Sequence, residues 1–102
     1  MDEKYTQEQL THIINQGILY QCACPAQLSE AILDQRELFK YQQECLNQSE
    51  TDKLVHQRIA TSSEVCHKEL EDCLQFVLKT EGWDPKTLDM PESFKLRIDK
   101  TE

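Results

Sequence analysis

Glycine and proline are scarce in this chain, and their scarcity limits the folds that it can adopt. The 102 residues contain two glycines and three prolines, while Gln, Glu, Leu and Lys are abundant. These four residue types are good helix formers, whereas Gly and Pro disfavour helix interiors. We therefore predict an all-α fold, and a chain of this length is enough for one domain.

The few helix-breaking residues divide the chain into three predicted helices. Pro25, the only proline in the first eighty residues, suits the first turn of a helix because its missing N–H would be unpaired there. Gly82 suits the left-handed residue that follows a helix, and Trp83 can then pack back on Leu78. We predict a small antiparallel three-helix bundle with up-down-up topology and helices at residues 6–20, 25–48 and 51–80.

Shorter segments flank the predicted bundle. Residues 1–5 are expected to be a frayed lead before a capping box, in which Thr6 and Gln9 each satisfy a backbone N–H group of the other. Residues 84–102 are predicted to form a C-terminal appendage, with a short helical turn that begins at Asp84 and then an extended tail. We expect this appendage to belong to the same domain as residues 1–83 or to be partly flexible.

Apolar residues recur at helical spacing and predict the buried face of each helix. In helix 1 they are Leu10, Ile13, Ile14 and Ile18. In helix 3 the stripe includes two cysteines, and buried free cysteines behave as small hydrophobic residues. The helix 3 stripe that we predict to face the core is Val55, Ile59, Cys66, Leu70, Cys73 and Val77.

The chain is acidic, with 19 acidic and 11 basic residues and a formal net charge of -8. Such a surface repels nucleic acid and anionic membranes, so we predict neither as a partner. No apolar run approaches the ~20 residues that span a bilayer, and the first residues lack a signal-peptide core. We therefore expect a cytoplasmic protein whose five cysteines are mostly free thiols.

No arrangement of residues in the sequence predicts a catalytic site. Two isolated glycines cannot form a phosphate-binding loop, and Cys24 with His12 or His67 lacks a third group to orient the base. Glu64 and Glu71 lie on a predicted outer face of helix 3. We assign no catalytic residue, and the balance of the sequence is against an enzyme.

Cys22 and Cys24 stand one residue apart just before Pro25 and form the best candidate for chemistry. A helix N-terminus stabilises a thiolate, so Cys24 is the predicted reactive thiol and Cys22 its resolving partner in a redox reaction. If helix 3 folds back on helix 2, Cys73 comes level with this corner, and Cys22, Cys24 and Cys73 become candidate zinc ligands. The alternative is that these cysteines only pack, in which case no cofactor is expected.

The remaining features favour a protein that binds other proteins. Gln35 and Gln42 lie on the apolar stripe of helix 2, and buried glutamines need partners. Leu38, Tyr41 and Leu54 are apolar flanks that three short helices leave to be covered. The candidate partner-binding residues, which include alternate residues of the tail, are Gln35, Leu38, Tyr41, Gln42, Phe94, Leu96 and Ile98.

We therefore expect a small acidic, non-enzymatic helical interaction module with a protein partner, which includes the case of self-association. The alternative function is thiol redox chemistry or metal binding at the corner Cys22-Ala23-Cys24-Pro25.

Overall fold

Three helices account for most of the described chain, which in this computed structural model comprises residues 1–20 and 24–94. They are α1 (Gln7–Tyr20), α2 (Cys24–Glu44) and α3 (Glu50–Glu81), and the described residues contain no β-strand. α2 packs against both α1 and α3, whereas no described Cα of α1 comes within 8 Å of one in α3. The prediction of an all-α three-helix bundle is confirmed.

Side-chain caps at the starts of α1 and α3 follow the local sequence. Thr6 N–H donates to Gln9 Oε1 at 2.8 Å, and Gln9 N–H donates to Thr6 Oγ at 3.1 Å. Ser49 is the N-cap of α3, and its Oγ accepts from Asp52 N–H at 3.1 Å. The predicted capping box of α1 is therefore confirmed, and Ser49 caps α3.

α2 ends at Glu44, before the predicted end at residue 48. The residues that follow are used to begin α3. Asn47 Oδ1 lies 2.7 Å from His56 Nδ1, and Gln48 N–H donates to Asp52 Oδ2 at 3.2 Å. These bonds join the connection to the first turns of α3, so residues 45–49 form a loop between the two helices.

α3 ends as the sequence predicts. Gly82 has φ 84°, and the N–H groups of Gly82 and Trp83 donate to Lys79 O and Leu78 O at 3.3 and 2.9 Å. These are the two bonds of a Schellman motif. Asp84 Oδ1 then accepts from the N–H groups of Thr87 and Lys86, which lower the pKa of the Asp84 carboxyl.

The residues after α3 complete the core. Trp83, Leu88 and Met90 are 4%, 6% and 3% exposed. Asp89 Oδ1 lies 2.7 Å from His12 Nε2, and Met90 N–H donates to Gln16 Oε1, so this segment joins α3 to α1. It packs on the side of the bundle where the backbones of those two helices are farther apart. The buried cluster consists of Leu10, Ile13, Ile32, Leu74, Leu78, Trp83, Leu88 and Met90.

The buried face of α3 differs from the predicted one. Cys66 and Cys73, predicted to lie in the core, are exposed. At 100° per residue the observed buried face is turned by roughly 95° from the predicted stripe, about a quarter of a turn. It consists of Ala60, Ser63, His67, Glu71, Leu74 and Leu78.

Small residues explain how α2 approaches this face of α3. Ser29 on α2 is fully buried, as is Ser63 on α3. Their hydroxyls donate to backbone carbonyls of their own helices, Pro25 O and Ala60 O, at 2.8 and 3.0 Å. Because each hydroxyl is satisfied internally, the two helices can pack closely on polar residues that are small.

The molecule is elongated, with extents of 59 × 23 × 17 Å. Every residue of the buried cluster lies at the end built by α1, the first half of α2, the second half of α3 and residues 83–90. Residues 37–62 form the other end, a pair of antiparallel helical segments that we call the arm. Within the arm only Gln42 and Ala60 are buried.

Candidate functional site

The corner before α2 is only partly described. Cys24 is the first residue of α2 and is exposed, whereas Cys22 lies outside the described residues. Cys24, Cys45, Cys66 and Cys73 are free thiols. Among residues 1–20 and 24–94, no three or more His, Cys, Asp or Glu side chains are grouped so that they could hold a metal ion. Redox chemistry at Cys22 and Cys24, and zinc at Cys22, Cys24 and Cys73, stay predictions.

A buried polar cluster that the sequence did not predict joins α2 to α3. Arg36 Nε–H donates to His67 Nε2 at 2.9 Å, and Arg36 Nη2–H donates to Glu71 Oε2 at 3.2 Å. His67 Nδ1 lies 3.5 Å from Glu71 Oε1. The residues His67 and Glu71 are 1% and 4% exposed. Glu71 was predicted to lie on an outer face, and this prediction was wrong because α3 turns that face towards Arg36.

The N-terminal segment covers this cluster. Glu71 Oε2 accepts from the N–H groups of Lys4 and Tyr5 at 2.7 and 3.1 Å, and Arg36 Nη2–H donates to Tyr5 O at 2.6 Å. Lys4 Nζ forms an ion pair with Asp72 at 2.6 Å. The expectation of a frayed lead was therefore wrong, since buried groups of α2 and α3 hold Lys4 and Tyr5 in place.

The protonation states in this region follow from burial and from the ion pairs. Burial lowers the pKa of His67, because desolvation disfavours the imidazolium, and Arg36 adds to this effect. The hydrogen bond from Lys4 lowers the pKa of Asp72, and Lys68 contributes a second one. Burial also raises the pKa of Tyr5. The cluster therefore contains a neutral imidazole between a guanidinium and a carboxylate.

This arrangement stabilises structure and offers little for catalysis. His67 Nε2 accepts from Arg36, and Nδ1 faces Glu71, so both ring nitrogens are directed at protein groups. A general base needs a nitrogen within hydrogen-bond reach of the substrate proton. The cluster connects α2, α3 and the N-terminal segment, and we assign it that role.

Several depressions border the N-terminal segment. One, of about 410 Å³, has charged walls that include Lys4, Glu64 and Asp72. Another, of about 580 Å³, is lined by apolar residues such as Trp83 and by polar residues such as Asp84.

The predicted partner-binding residues lie in different environments. Leu38 and Tyr41 are 40% and 64% exposed on α2. Gln35 is half-buried, while Gln42 is buried and its Oε1 has no hydrogen-bond partner in the described part of the chain. Phe94 packs against the core cluster. Leu96 and Ile98 lie outside the described residues.

Several large apolar side chains are exposed along α3. Val65 and Phe76 are 65% and 69% exposed, and Leu54 is 65% exposed. We call this surface the outer face of α3. At 100° per residue these side chains fall within a sector of about 120°, and the apolar members of the face are Leu54, Val55, Val65, Cys66, Cys73 and Phe76.

Two charged residues, Arg58 and Glu69, are exposed on the same face. Neither forms an ion pair or side-chain hydrogen bond with another described residue. The sequence predicted Leu54 as an apolar flank to be covered, but it did not predict the rest of this surface because it placed Cys66 and Cys73 in the core. The row Ala60, Ser63 and His67 could have indicated the buried face, because Ala60 and Ser63 are small enough for a close helix contact.

The described residues include no helix that is long and apolar enough to cross a membrane. Comparison with protein-family models, with curated proteins and with solved structures finds no match. The fold and the exposed surface therefore define only a class, that of small all-α helical bundles with an apolar helix face on the outside.

Proposed function

We propose that this protein is a non-enzymatic helical interaction module that binds a protein partner through the outer face of α3 and the arm. The observation that carries the proposal is the exposure of large apolar side chains, Leu54, Val65 and Phe76, along one helix. Scattered exposed apolar residues are normal, but a contiguous apolar surface marks a site of association.

The composition of the arm supports the same function. Two paired helical segments of 37–62 bury only a glutamine and an alanine, while Tyr41 and Leu46 are 64% and 78% exposed. Helices in proteins gain most of their stability from packing of an apolar face. At the opposite end of the molecule, α1 and residues 83–90 pack on α2 and α3. A partner that covers the arm would supply the equivalent packing there.

The test compares proteins bound by the purified full chain with those bound by two variants. Val65→Glu places a charge on the outer face, and Gln27→Glu places the same charge on an exposed position of α2 outside both that face and the arm. We expect specific partners, identified by mass spectrometry, to be lost with Val65→Glu and retained with Gln27→Glu. Equal recovery of the same proteins with both variants would contradict the proposed surface.

A further inference from the structure

The net charge of the outer face of α3 differs from that of the chain as a whole. The chain carries a formal net charge of -8, but the exposed charges within this face are one arginine, Arg58, and one glutamate, Glu69. At its edge the carboxylate of Asp72 is paired with Lys4 and Lys68. A strongly basic or acidic partner gains no electrostatic advantage from a neutral apolar surface. The chemistry of the face therefore fits another neutral, largely apolar helix surface.

The two charges are placed so that the face is complementary to itself. Arg58 and Glu69 lie at equal distances along α3 on either side of a point between Ser63 and Glu64. If two α3 helices lie antiparallel about this point, Arg58 of each copy faces Glu69 of the other. A parallel pair in register would instead place like charges opposite each other, which is unfavourable.

We propose that a second copy of this chain covers the outer face of α3, with the two α3 helices antiparallel about a twofold axis near Ser62 and Val65. This inference rests on the proposed interaction function and names its partner. The interface is isologous, because each copy contributes the same surface.

The spacing of the face suits helix pairing. Steps of four and three residues alternate along this face, as at the contact positions of a two-helix coiled coil. The positions are Val55, Ile59, Ser62, Cys66, Glu69, Cys73 and Phe76. In the antiparallel register Leu54 faces Cys73 of the second copy. Ser62 lies beside the axis, where a small residue allows the two backbones to approach closely.

The first measurement is sedimentation equilibrium of the full chain over a wide concentration range. We expect a species of twice the chain mass of 12.0 kDa. Val65→Glu brings two carboxylates together near the axis and should raise the dimer dissociation constant by roughly tenfold or more. Gln27→Glu adds the same charge on α2, outside both the outer face and the arm, and should leave that constant unchanged.

Charge reversal tests the orientation. Arg58→Glu and Glu69→Arg should each weaken the dimer, because each creates two like-charge pairs across the interface. The combined variant restores two opposite-charge pairs and should recover most of the lost affinity. In a parallel pair the wild type already has like charges opposite one another, so the single reversals would have no comparable effect.

Each outcome decides a different part of the proposal. A chain that stays monomeric at every concentration overturns self-association, as does a dimer that is insensitive to Val65→Glu. A dimer that needs Val65 but ignores the charge reversals overturns the antiparallel register. The chain could instead be monomeric and bind a different protein that Val65→Glu no longer binds. In that case the proposed interaction function stands, and only the identity of the partner is wrong.

Folding of the variants is checked by helix content and by the urea midpoint at the lowest concentration. All the substituted residues are exposed, so we expect each monomeric variant to keep the helix content and the urea midpoint of the wild type.

Discussion

At the scale of single residues, the protonation of His67 is determined by its neighbours. Arg36 Nε–H donates to His67 Nε2, so that nitrogen carries a lone pair and the ring proton lies on Nδ1, towards Glu71. Burial lowers the pKa of His67. Because the unfolded chain has a histidine pKa of about 6.5, unfolding takes up a proton between the two pKa values.

The sign of the pH dependence follows from this difference. The contribution of His67 to the free energy of unfolding is fully present above a pH of about 6.5 and is lost as the pH falls towards the lower, folded-state pKa. We predict that His67→Gln, whose amide oxygen can still accept from Arg36, reduces the loss of stability between about pH 7 and pH 5. Urea unfolding across this range measures it.

His56→Gln is the control, because this variant keeps the buried imidazole of His67 and removes the half-exposed imidazole of His56. A His67→Gln variant with the same pH dependence as the wild type would contradict the role assigned to burial.

At the scale of the element, the main feature of this protein is which face of α3 is buried against α2. Ala60 and Ser63 are small enough for α2 to pack closely, and His67 and Glu71 are buried because Arg36 reaches both. A buried carboxylate is tolerated when a cation and hydrogen-bond donors satisfy it. The more apolar stripe of the same helix is left outside as a result.

Alanine substitutions on the two faces should reveal this orientation. Leu74 is fully buried, and we predict that Leu74→Ala lowers the free energy of unfolding by about 2–5 kcal/mol. Phe76 is 69% exposed, and at monomeric concentrations Phe76→Ala should change it by less than about 0.5 kcal/mol. Denaturant unfolding at low concentration makes the comparison. A larger loss from Phe76→Ala than from Leu74→Ala would show that α3 buries the other face.

At the scale of the whole molecule, both chain ends reinforce one end of the bundle. The N-terminal segment binds Glu71 and Arg36, and residues 83–90 add Trp83, Leu88 and Met90 to the core. The arm receives neither contribution. This unequal distribution gives a well-packed end and an end whose apolar surface is available for association.

We predict that residues 83–94 are required for a folded core. Ending the chain after Gly82 should abolish the cooperative unfolding transition, because three core residues are lost together. Met90→Ala, which removes one buried side chain, should lower the free energy of unfolding by about 2–5 kcal/mol. Thermal unfolding followed by circular dichroism measures both.

A chain that ends after Phe94 is the matched control, because it keeps every residue of the buried cluster. If the chain that ends after Gly82 unfolds at the same temperature as this control, the C-terminal segment is not part of the core.

The local sequence by itself determined the start of α1 and both ends of α3, but not the end of α2 at Glu44. Thr6 and Gln9 cap α1, Ser49 caps α3, and Gly82 with Trp83 ends α3, because caps depend on backbone groups within a few residues. The all-α class was predictable for the same reason, since helix propensity is also local. The exposure of Leu38 and Tyr41 agrees with the apolar flank that the sequence predicted on α2.

Only the tertiary structure decided which face of α3 is buried and what the chain ends do. Periodicity favoured Cys66 and Cys73 for the core because it counts apolar side chains and ignores the shape and charge of the neighbouring helix. The partners of Glu71 are Arg36, which is 35 positions away in sequence, and the N–H groups of Lys4 and Tyr5, which are more distant still. No local pattern encodes such contacts, because they form only when α2, α3 and the N-terminal segment pack together.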